Sequence, residues 1–458
     1  MSHRTGSFTA LDMWSLFIHL RRLAVLGLTI LPTLLALVLL LCSAAWVDAG
    51  AARQVDLPQA QMAFTGLDQA RLAFPAVNAI YTPTFVPLYV GGSNDKTRSV
   101  AVGDVNGDGA LDFIQAAGSQ SMVYLNDGRG AFVARMPFSG AVARIAIGDL
   151  NGDGALDIVA GSDVTWETSK VLLNDGHGGF KPGVPLGTSG KAIGLVVGDM
   201  DGEGALDIIL VKDTRESVLF LNDKQGGFGT GVVVGGATSS RAVGDLNGDG
   251  VLDIVQGADN NQSSFVYLND GHGSFGTGTA FGGPTWTTSL AVGDMNGDNA
   301  LDIIQGNSEG RMSVVYLNDG QGRFSPGALF GGRTQSIAVG DVNGDGTLDI
   351  IQGNYSEASV VYLNDGQGEL GAGVPLGNAY QTTSIAIGDM NGDGTLDIVQ
   401  GNEMQPCVIY LNDGNGGFGL SVRFSPSGSG TRNVVGDVDG DGLLDIIQNN
   451  ASQPSLVF

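Results

Sequence analysis

Cysteine, proline and basic residues are all scarce in this chain of 458 residues. Two cysteines cannot build a disulfide framework, and 14 prolines are too few for a collagen-like repeat. Lysine and arginine together number 22 against 47 acidic residues, which gives a net charge of −25. Because so acidic a surface repels phosphate backbones, we expect no nucleic-acid partner.

Glycine and apolar residues are abundant instead. There are 74 glycines, and 43% of the residues are hydrophobic. That apolar content is too high for a disordered chain. Helical periodicity is absent from the repeated part of the sequence, so we expect an all-β protein of many short strands joined by tight turns.

The N-terminal region carries an export signal. Residues 23–47 contain no charge and are long enough to span a bilayer. Arg21 and Arg22 precede them, and the positive-inside rule keeps residues 1–22 in the cytoplasm and sends the rest across. The hydrophobic helix is either a cleaved signal peptide or an uncleaved membrane anchor. Residues 48–80 are interpreted as a linker, and the protein is predicted to be secreted or cell-surface.

From residue 98 onward the chain repeats itself. The phrase GD-x-(N/D)-G-(D/E)-(G/N)-x-L-D-(I/F) occurs eight times, and a second phrase, L-N-D-x-x-G-x-(F/L), follows most copies. Each repeat unit is interpreted as four strands, which is typical of a β-propeller blade. We number the units one to eight by the first aspartate of each phrase: Asp104, Asp149, Asp199, Asp245, Asp294, Asp341, Asp389 and Asp437.

The predicted fold is an eight-bladed β-propeller of four-stranded blades over residues 81–458. The alternative is a seven-bladed ring with one degenerate unit, but all eight units are intact in sequence. The last unit stops at Phe458, within its third strand. Residues 81–92 are similar to the fourth-strand segment 324–332. We therefore predict a clasp in which the N-terminal segment supplies the strand that the C-terminal unit lacks, which removes open sheet edges.

The acidic phrase has the spacing of a metal-binding loop. Oxygen-bearing side chains occupy positions 1, 3, 5 and 9, and glycine at position 6 permits a sharp turn. Hard oxygen ligands favour Ca²⁺, with Mg²⁺ as the second choice, and we expect about one calcium ion per unit and up to eight in all. The predicted ligands are Asp104, Asn106, Asp108, Asp112, Asp149, Asn151, Asp153, Asp157, Asp199, Asp201, Glu203, Asp207, Asp245, Asn247, Asp249, Asp253, Asp294, Asn296, Asp298, Asp302, Asp341, Asn343, Asp345, Asp349, Asp389, Asn391, Asp393, Asp397, Asp437, Asp439, Asp441 and Asp445.

These units resemble the FG-GAP/VCBS repeats of extracellular β-propellers, such as the integrin α-subunit head, fungal lectins and bacterial surface proteins. The resemblance covers residues 81–458 and implies one calcium ion in the loop between the first two strands of each blade. The chain departs from the family pattern at Glu203 (aspartate expected), Asn299 (glycine expected) and Leu370 (phenylalanine expected). The first departure is expected to weaken its site.

Four aromatic residues mark a predicted ligand face. Trp166 and Tyr355 fall in loops between second and third strands, and Trp286 and Tyr380 fall in loops between units. Such rings serve a binding surface, or each simply caps its own blade. The predicted function is a binding or adhesion module for an extracellular protein or glycan, in contact with a membrane only through an uncleaved N-terminal helix.

Two other functions stay open at the level of sequence. One is a non-catalytic structural role in the cell envelope. The other is the scaffold of a carbohydrate-active enzyme, a polysaccharide lyase or hydrolase. Successive units begin only 45–50 residues apart, which leaves little room for catalytic insertions. No enzyme is therefore expected, and no catalytic residue is assigned.

Overall fold

A computed structural model describes most of the repeated region. The predicted hydrophobic helix at 23–47 and the linker at 48–80 lie outside the described residues. Within the described part of the chain, no helix is long and apolar enough to cross a membrane. The described residues are 88–90, 97–138, 140–214, 216–236, 240–258, 262–425, 430–450 and 455–458.

Every regular element of the described part is a β-strand. In chain order the strands are Leu88–Val90 (β1), Ser99–Gly103 (β2), Asp112–Ala116 (β3), Met122–Asn126 (β4), Phe132–Pro137 (β5), Val142–Gly148 (β6), Asp157–Ser162 (β7), Ser169–Leu172 (β8), Val184–Leu186 (β9), Ala192–Gly198 (β10), Asp207–Lys212 (β11), Ser217–Phe220 (β12), Val232–Val233 (β13), Arg241–Gly244 (β14), Asp253–Gln256 (β15), Gln262–Tyr267 (β16), Thr279–Thr285 (β17), Thr287–Gly293 (β18), Asp302–Asn307 (β19), Ser313–Asn318 (β20), Phe324–Phe330 (β21), Thr334–Gly340 (β22), Asp349–Tyr362 (β23), Val374–Gly388 (β24), Asp397–Asn402 (β25), Val408–Leu411 (β26), Leu420–Arg423 (β27), Gly430–Gly436 (β28), Asp445–Asn450 (β29) and Ser455–Val457 (β30).

Within a unit the strands pair antiparallel in the order of the chain. In unit five, β18 pairs with β19, β19 with β20, and β20 with β21. All six residues of β19 are buried, because this central strand has a neighbouring strand on each side and a neighbouring sheet on each face. The acidic loop leaves the end of the first strand and the second strand begins at its ninth residue, here Asp302.

The prediction of eight four-stranded blades is wrong. The described residues form seven sheets, six of four strands and one of six strands. Counted by its sheets, the propeller therefore has seven blades. Units six and seven share the six-stranded sheet, because β23 and β24 run on through segments predicted to be loops. Tyr355 pairs with Gln381 and Glu357 with Tyr380, and these pairs prolong the hairpin.

The hydrophobic core lies between adjacent sheets. One cluster joins Val255 and Val266 of unit four with Ile303 and Tyr316 of unit five, and equivalent clusters occupy other junctions. Each buried aliphatic side chain contributes about 1.5–3 kcal/mol relative to an exposed one. The sheets are therefore held mainly by their facing apolar sides.

The glycine of each GD phrase allows close approach between units. A Cβ on Gly293 would lie 2.7 Å from Leu348 Cδ1 of the next unit. The same relation closes the ring, because a Cβ on Gly436 of unit eight would lie 3.3 Å from Leu111 Cδ1 of unit one. The repeated glycine is thus a packing residue as well as a turn residue.

The predicted clasp is confirmed. The N-terminal strand β1 pairs antiparallel with β30, the last strand of the chain, with Leu88 opposite Val457. The sheet order β1-β30-β29-β28 makes β1 the fourth strand of unit eight. The two ends of the described chain are therefore joined in one sheet.

Candidate functional site

The eight acidic loops all lie at the same end of the propeller, between first and second strands. We call the surface formed by these loops and the L-N-D turns the lower face, and the surface formed by the other connections the upper face. In the loop of unit six, Gly344 and Gly346 have φ of 74° and 88°. In unit five Asn299 adopts φ of 67° in place of the expected glycine, so this departure keeps the turn.

Backbone N–H groups fix the first aspartate of every loop. In unit six, Asp341 Oδ1 accepts from Gly344 N at 2.7 Å and Oδ2 accepts from Gly346 N at 2.8 Å. The Oδ2 contact recurs in all eight loops. Asn343 Nδ2 donates to Asp345 Oδ2 at 2.7 Å. The oxygens of positions 1, 3 and 5 are thus gathered on one turn.

The ninth aspartate is fully buried in seven of the eight loops, and Asp445 of unit eight is partly buried. Asp302 Oδ2 accepts from Met295 N at 2.9 Å, and its Oδ1 accepts from Asn318 N at 2.8 Å. The pKa of this carboxyl is raised to about 6. Burial is the largest cause, the two hydrogen bonds lower the pKa, and the negative charges of Asp298 and Asp294 raise it. The pKa is also raised to about 6 in Asp207, Asp253 and Asp397.

These donor sets fit a hard divalent cation. In units three and eight, three carboxylates have oxygens within 4.8 Å of one another: Asp199, Asp201 and Asp207, and Asp437, Asp439 and Asp441. In unit three, Asp199 Oδ1 is buried and has no hydrogen-bond partner among the described residues. Because each carboxylate offers about four lone-pair directions, the backbone contacts leave acceptor capacity for an ion. Like charges held so close together also favour a cation between them.

Unit three differs from the others by a lysine beside its loop. Lys224 occupies the glycine position of the L-N-D-G turn, with φ of 66°. Its Nζ lies 3.4 Å from Glu203 Oε2 and donates to the Glu203 carbonyl oxygen at 2.9 Å. Glu203 replaces the fifth-position aspartate, so the carboxylate that departs from the family pattern is paired with an ammonium group.

The asparagine of the L-N-D phrase has a role that the sequence analysis missed. Asn318 Nδ2 donates to the Leu301 carbonyl of its own unit at 2.9 Å and to the Leu246 carbonyl of the preceding unit at 2.7 Å. Leu246 is the second residue of the unit-four loop, and its N–H donates to the ninth aspartate there. Equivalent asparagines link seven junctions: Asn126, Asn174, Asn222, Asn269, Asn318, Asn364 and Asn412.

The four aromatic candidates lie toward the upper face but not in equivalent settings. The Trp166 side chain is 77% exposed, whereas Trp286 and Tyr355 are each 40% exposed. Tyr380 packs partly against the core cluster of units six and seven, and its hydroxyl accepts from Arg423 at 3.3 Å. Tyr355 and Tyr380 lie in strands of the shared sheet instead of the loops predicted for them.

Six stretches of the chain match the family model described as FG-GAP-like repeat: residues 104–160, 149–210, 245–305, 304–352, 341–400 and 401–447. Together they span more than half of the sequence. The chain belongs to the FG-GAP repeat family. The resemblance stated from the sequence is therefore confirmed, although no curated protein matches the chain.

This FG-GAP repeat protein is also similar to solved propeller structures. A Burkholderia pseudomallei lectin, BP39L, superposes with a TM-score of 0.54 at 12% identity, covering 73% of this chain and 99% of the lectin. Sqt1 of Saccharomyces cerevisiae gives a TM-score of 0.57 at 12% identity, covering 81% and 97%. An Agrocybe aegerita lectin that recognises terminal N-acetylglucosamine gives 0.49 at 22% identity, covering 79% and 100%. At these identities the similarity concerns the fold.

Proposed function

We propose that this FG-GAP repeat protein is an exported, calcium-stabilised binding module for a glycan or protein ligand. The observation that carries the proposal is the repeated lower-face loop, in which several carboxylates are held together by backbone N–H groups. The side chains at positions 1, 3, 5 and 9 would hold the ion, as in Asp341, Asn343, Asp345 and Asp349 of unit six.

Electrostatics gives calcium a structural role in this proposal. The chain carries a net charge of −25, and eight calcium ions would reduce it to −9. An ion at ten times its Kd contributes about 1.4 kcal/mol to stability, so eight sites would contribute on the order of 10 kcal/mol. That is comparable to the whole net stability of a domain. Calcium would thus stand in for disulfides.

The ligand would contact the upper face. Trp166, Trp286 and Tyr355 expose large parts of their rings there, and an aromatic ring combines apolar area with little entropy loss on binding. The fold similarity to the lectin BP39L is consistent with carbohydrate binding. Secretion or attachment to the cell surface through residues 23–47 belongs to the same proposal and rests on the sequence alone.

Two measurements on the full-length chain in mild detergent test this function. Thermal unfolding is recorded in about 2 mM calcium, which exceeds the Kd range of many extracellular calcium modules, and again after chelation. We expect a large fall in Tm that calcium reverses and equimolar magnesium does not. An unchanged Tm, together with elemental analysis that finds no calcium, would contradict the proposed calcium binding.

The binding role is tested on glycan and protein arrays in calcium buffer. We expect a defined ligand whose binding is weakened in Trp166→Ala, Trp286→Ala or Tyr355→Ala. Leu420→Ala is the matched control, because Leu420 is 45% exposed on a fourth strand and pairs with Leu411, next to the lower-face turn. Binding that is unaffected by all three aromatic substitutions would exclude the upper face as the ligand surface.

A further inference from the structure

Four basic residues gather near the upper end of the central channel, in a protein that is otherwise strongly acidic. The channel is lined by the first strands of the units, whose lower ends lead into the acidic loops. Arg98 directly precedes β2, Arg144 lies in β6, Lys191 directly precedes β10, and Arg432 lies in β28. These four positions belong to the consecutive units eight, one, two and three.

The strand register puts two of the arginines at the same height. Arg144 and Arg432 each stand four residues before the glycine that ends their strand, Gly148 and Gly436. In unit one this position is Ser99, whose Oγ accepts from Ile145 N of unit two at 3.3 Å. The first strand of unit one lies between those of units eight and two, so the two arginines flank Ser99.

Few carboxylates neutralise this cluster. Asp163 Oδ2 lies 3.0 Å from Arg98 Nε, and its Oδ1 lies 3.1 Å from Lys191 Nζ, so one partly buried carboxylate pairs with two cations. Arg144 donates instead to backbone carbonyls, those of Ile193 at 3.0 Å and Ala143 at 2.9 Å.

Arg432 is exposed, and neither it nor Arg144 forms an ion pair within the described part of the chain. Burial, followed by repulsion from Arg432 and then Arg98, lowers the pKa of Arg144. The two arginines flank the first strand of unit one at the same height, so their like charges repel each other. Asp213 is a second carboxylate near Lys191. Its N–H donates to the Lys191 carbonyl at 2.8 Å, and its side chain is exposed without an ion pair among described residues.

An exposed indole stands beside the cluster. Trp166, 77% exposed, lies three residues after Asp163 in the loop that follows β7, and Arg144 pairs with Gly161 near the end of β7. Neighbouring backbone holds the loop in place. Gly190 N donates to the Glu167 carbonyl at 3.1 Å, and Ala141 N donates to Glu167 Oε2 at 3.2 Å. Two guanidinium groups that form no ion pair with any described residue and an exposed indole thus share one corner of the upper face.

We propose that this corner binds an acidic carbohydrate, with the anionic group against Arg144 and Arg432 and a sugar ring against Trp166. The planar guanidinium binds carboxylate and sulfate groups through paired hydrogen bonds, and an aromatic face packs on the apolar face of a sugar ring. Cations around a channel mouth also concentrate an anionic ligand against the overall negative field. The proposal rests on the binding function above and specifies its ligand class.

The test compares acidic and neutral oligosaccharides of the same length. Full-length protein in calcium buffer is titrated with an oligogalacturonate, with a sulfated oligosaccharide and with a neutral oligosaccharide of the same length. We expect both acidic ligands to bind at least about tenfold more tightly than the neutral one, because hydrogen bonds to charged groups are stronger than neutral ones, and to bind more weakly as salt rises. The sulfated ligand separates arginine binding from calcium bridging of uronates.

Substitutions locate the site. Arg144→Gln, Arg432→Gln and Trp166→Ala should each weaken acidic-ligand binding about tenfold. Arg323→Gln should not change it, since Arg323 is exposed on the lower face beside Asp319. Arg144 also supports a neighbouring strand, so Arg432→Gln, at an exposed side chain, tests the site independently of folding.

Each contrary outcome has a separate meaning. Equal affinity for neutral and acidic ligands, with no effect of Arg432→Gln, would overturn the acidic-carbohydrate proposal and leave the general binding function standing. Equally tight binding of polyglutamate that is indifferent to Trp166→Ala would replace the carbohydrate with an acidic protein. Absence of any glycan or protein ligand on the arrays would remove the binding function itself.

Discussion

The Lys224 ammonium lies 3.4 Å from Glu203 Oε2, within the turn beside the unit-three loop. The lysine stands where the equivalent turns have glycine, in the left-handed region at φ of 66°. A non-glycine residue in this region costs of the order of 1–2 kcal/mol. The ion pair therefore places a positive charge beside one acidic loop, at a strained backbone position.

Replacement of this lysine should strengthen calcium binding by unit three. In Lys224→Gly the competing cation is lost, Glu203 is released and the turn regains its usual residue. We expect the protein to retain one more calcium ion per chain after gel filtration in limiting calcium, as measured by elemental analysis. Lys181→Ala, an exposed lysine of unit two, is the control. An unchanged calcium ratio would mean that Lys224 does not compete with the ion.

If calcium stabilises the fold as proposed, a single loop should account for a measurable part of that stabilisation. Asp345→Asn removes one charged ligand from unit six, and at ten times Kd the lost site would cost about 1.4 kcal/mol. Urea unfolding in calcium should show this loss, and unfolding after chelation should show a smaller one. Asp319→Asn makes the same chemical change in an exposed turn, where Asp319 accepts from Gln321 N at 2.9 Å. Equal effects of both substitutions in calcium would argue against a metal ligand at Asp345.

The sequence was most informative where a residue type has one strong local preference. Alternating strands ending in GD, the acidic turn and the missing fourth strand at Phe458 were enough to predict the propeller and the clasp of β1 with β30. The predicted number of blades was wrong because it depends on backbone pairing between the two connections that contain Tyr355 and Tyr380. Tyr355 and Tyr380 have strand propensity, but only the register that brings them side by side joins units six and seven in one sheet.

The junction asparagines illustrate a second limit. Asn-Asp-Gly has a sufficient explanation as a tight turn, and Asn318 does accept from Gly320 N at 3.1 Å within that turn. Its contact with the Leu246 carbonyl joins residues 72 positions apart, which no local pattern indicates. The presence of the asparagine in seven units was the available signal, because a turn alone is satisfied by aspartate or glycine as well.

Loss of a junction asparagine should therefore cost more than loss of a turn residue. Asn318→Ala leaves the buried carbonyls of Leu246 and Leu301 without this donor, and each unsatisfied group costs about 1–3 kcal/mol. We expect a fall of about 2–4 kcal/mol in the free energy of urea unfolding on this basis. Gln321→Ala, in the variable and exposed slot of the same turn, should change it by less than about 0.5 kcal/mol. Similar values for the two variants would restrict Asn318 to a turn role.

Protons and calcium should act in opposite directions on stability. The pKa of Asp207, Asp253, Asp302 and Asp397 is about 6 in the folded protein, above the usual 3.8. These carboxyls bind protons more tightly when folded, so the calcium-free protein should lose stability as pH rises from about 4 through 6. In saturating calcium the dependence of stability on pH should reverse, because the ion needs ionised carboxylates.

Carboxyls with lowered pKa, such as Asp345, lose their contribution to stability mainly below about pH 4, so they do not affect the range in which the four raised carboxyls titrate. Urea midpoints at about pH 5 and 7.5, with chelator and with calcium, measure both slopes; parallel slopes would show that protons and calcium do not share these carboxylates.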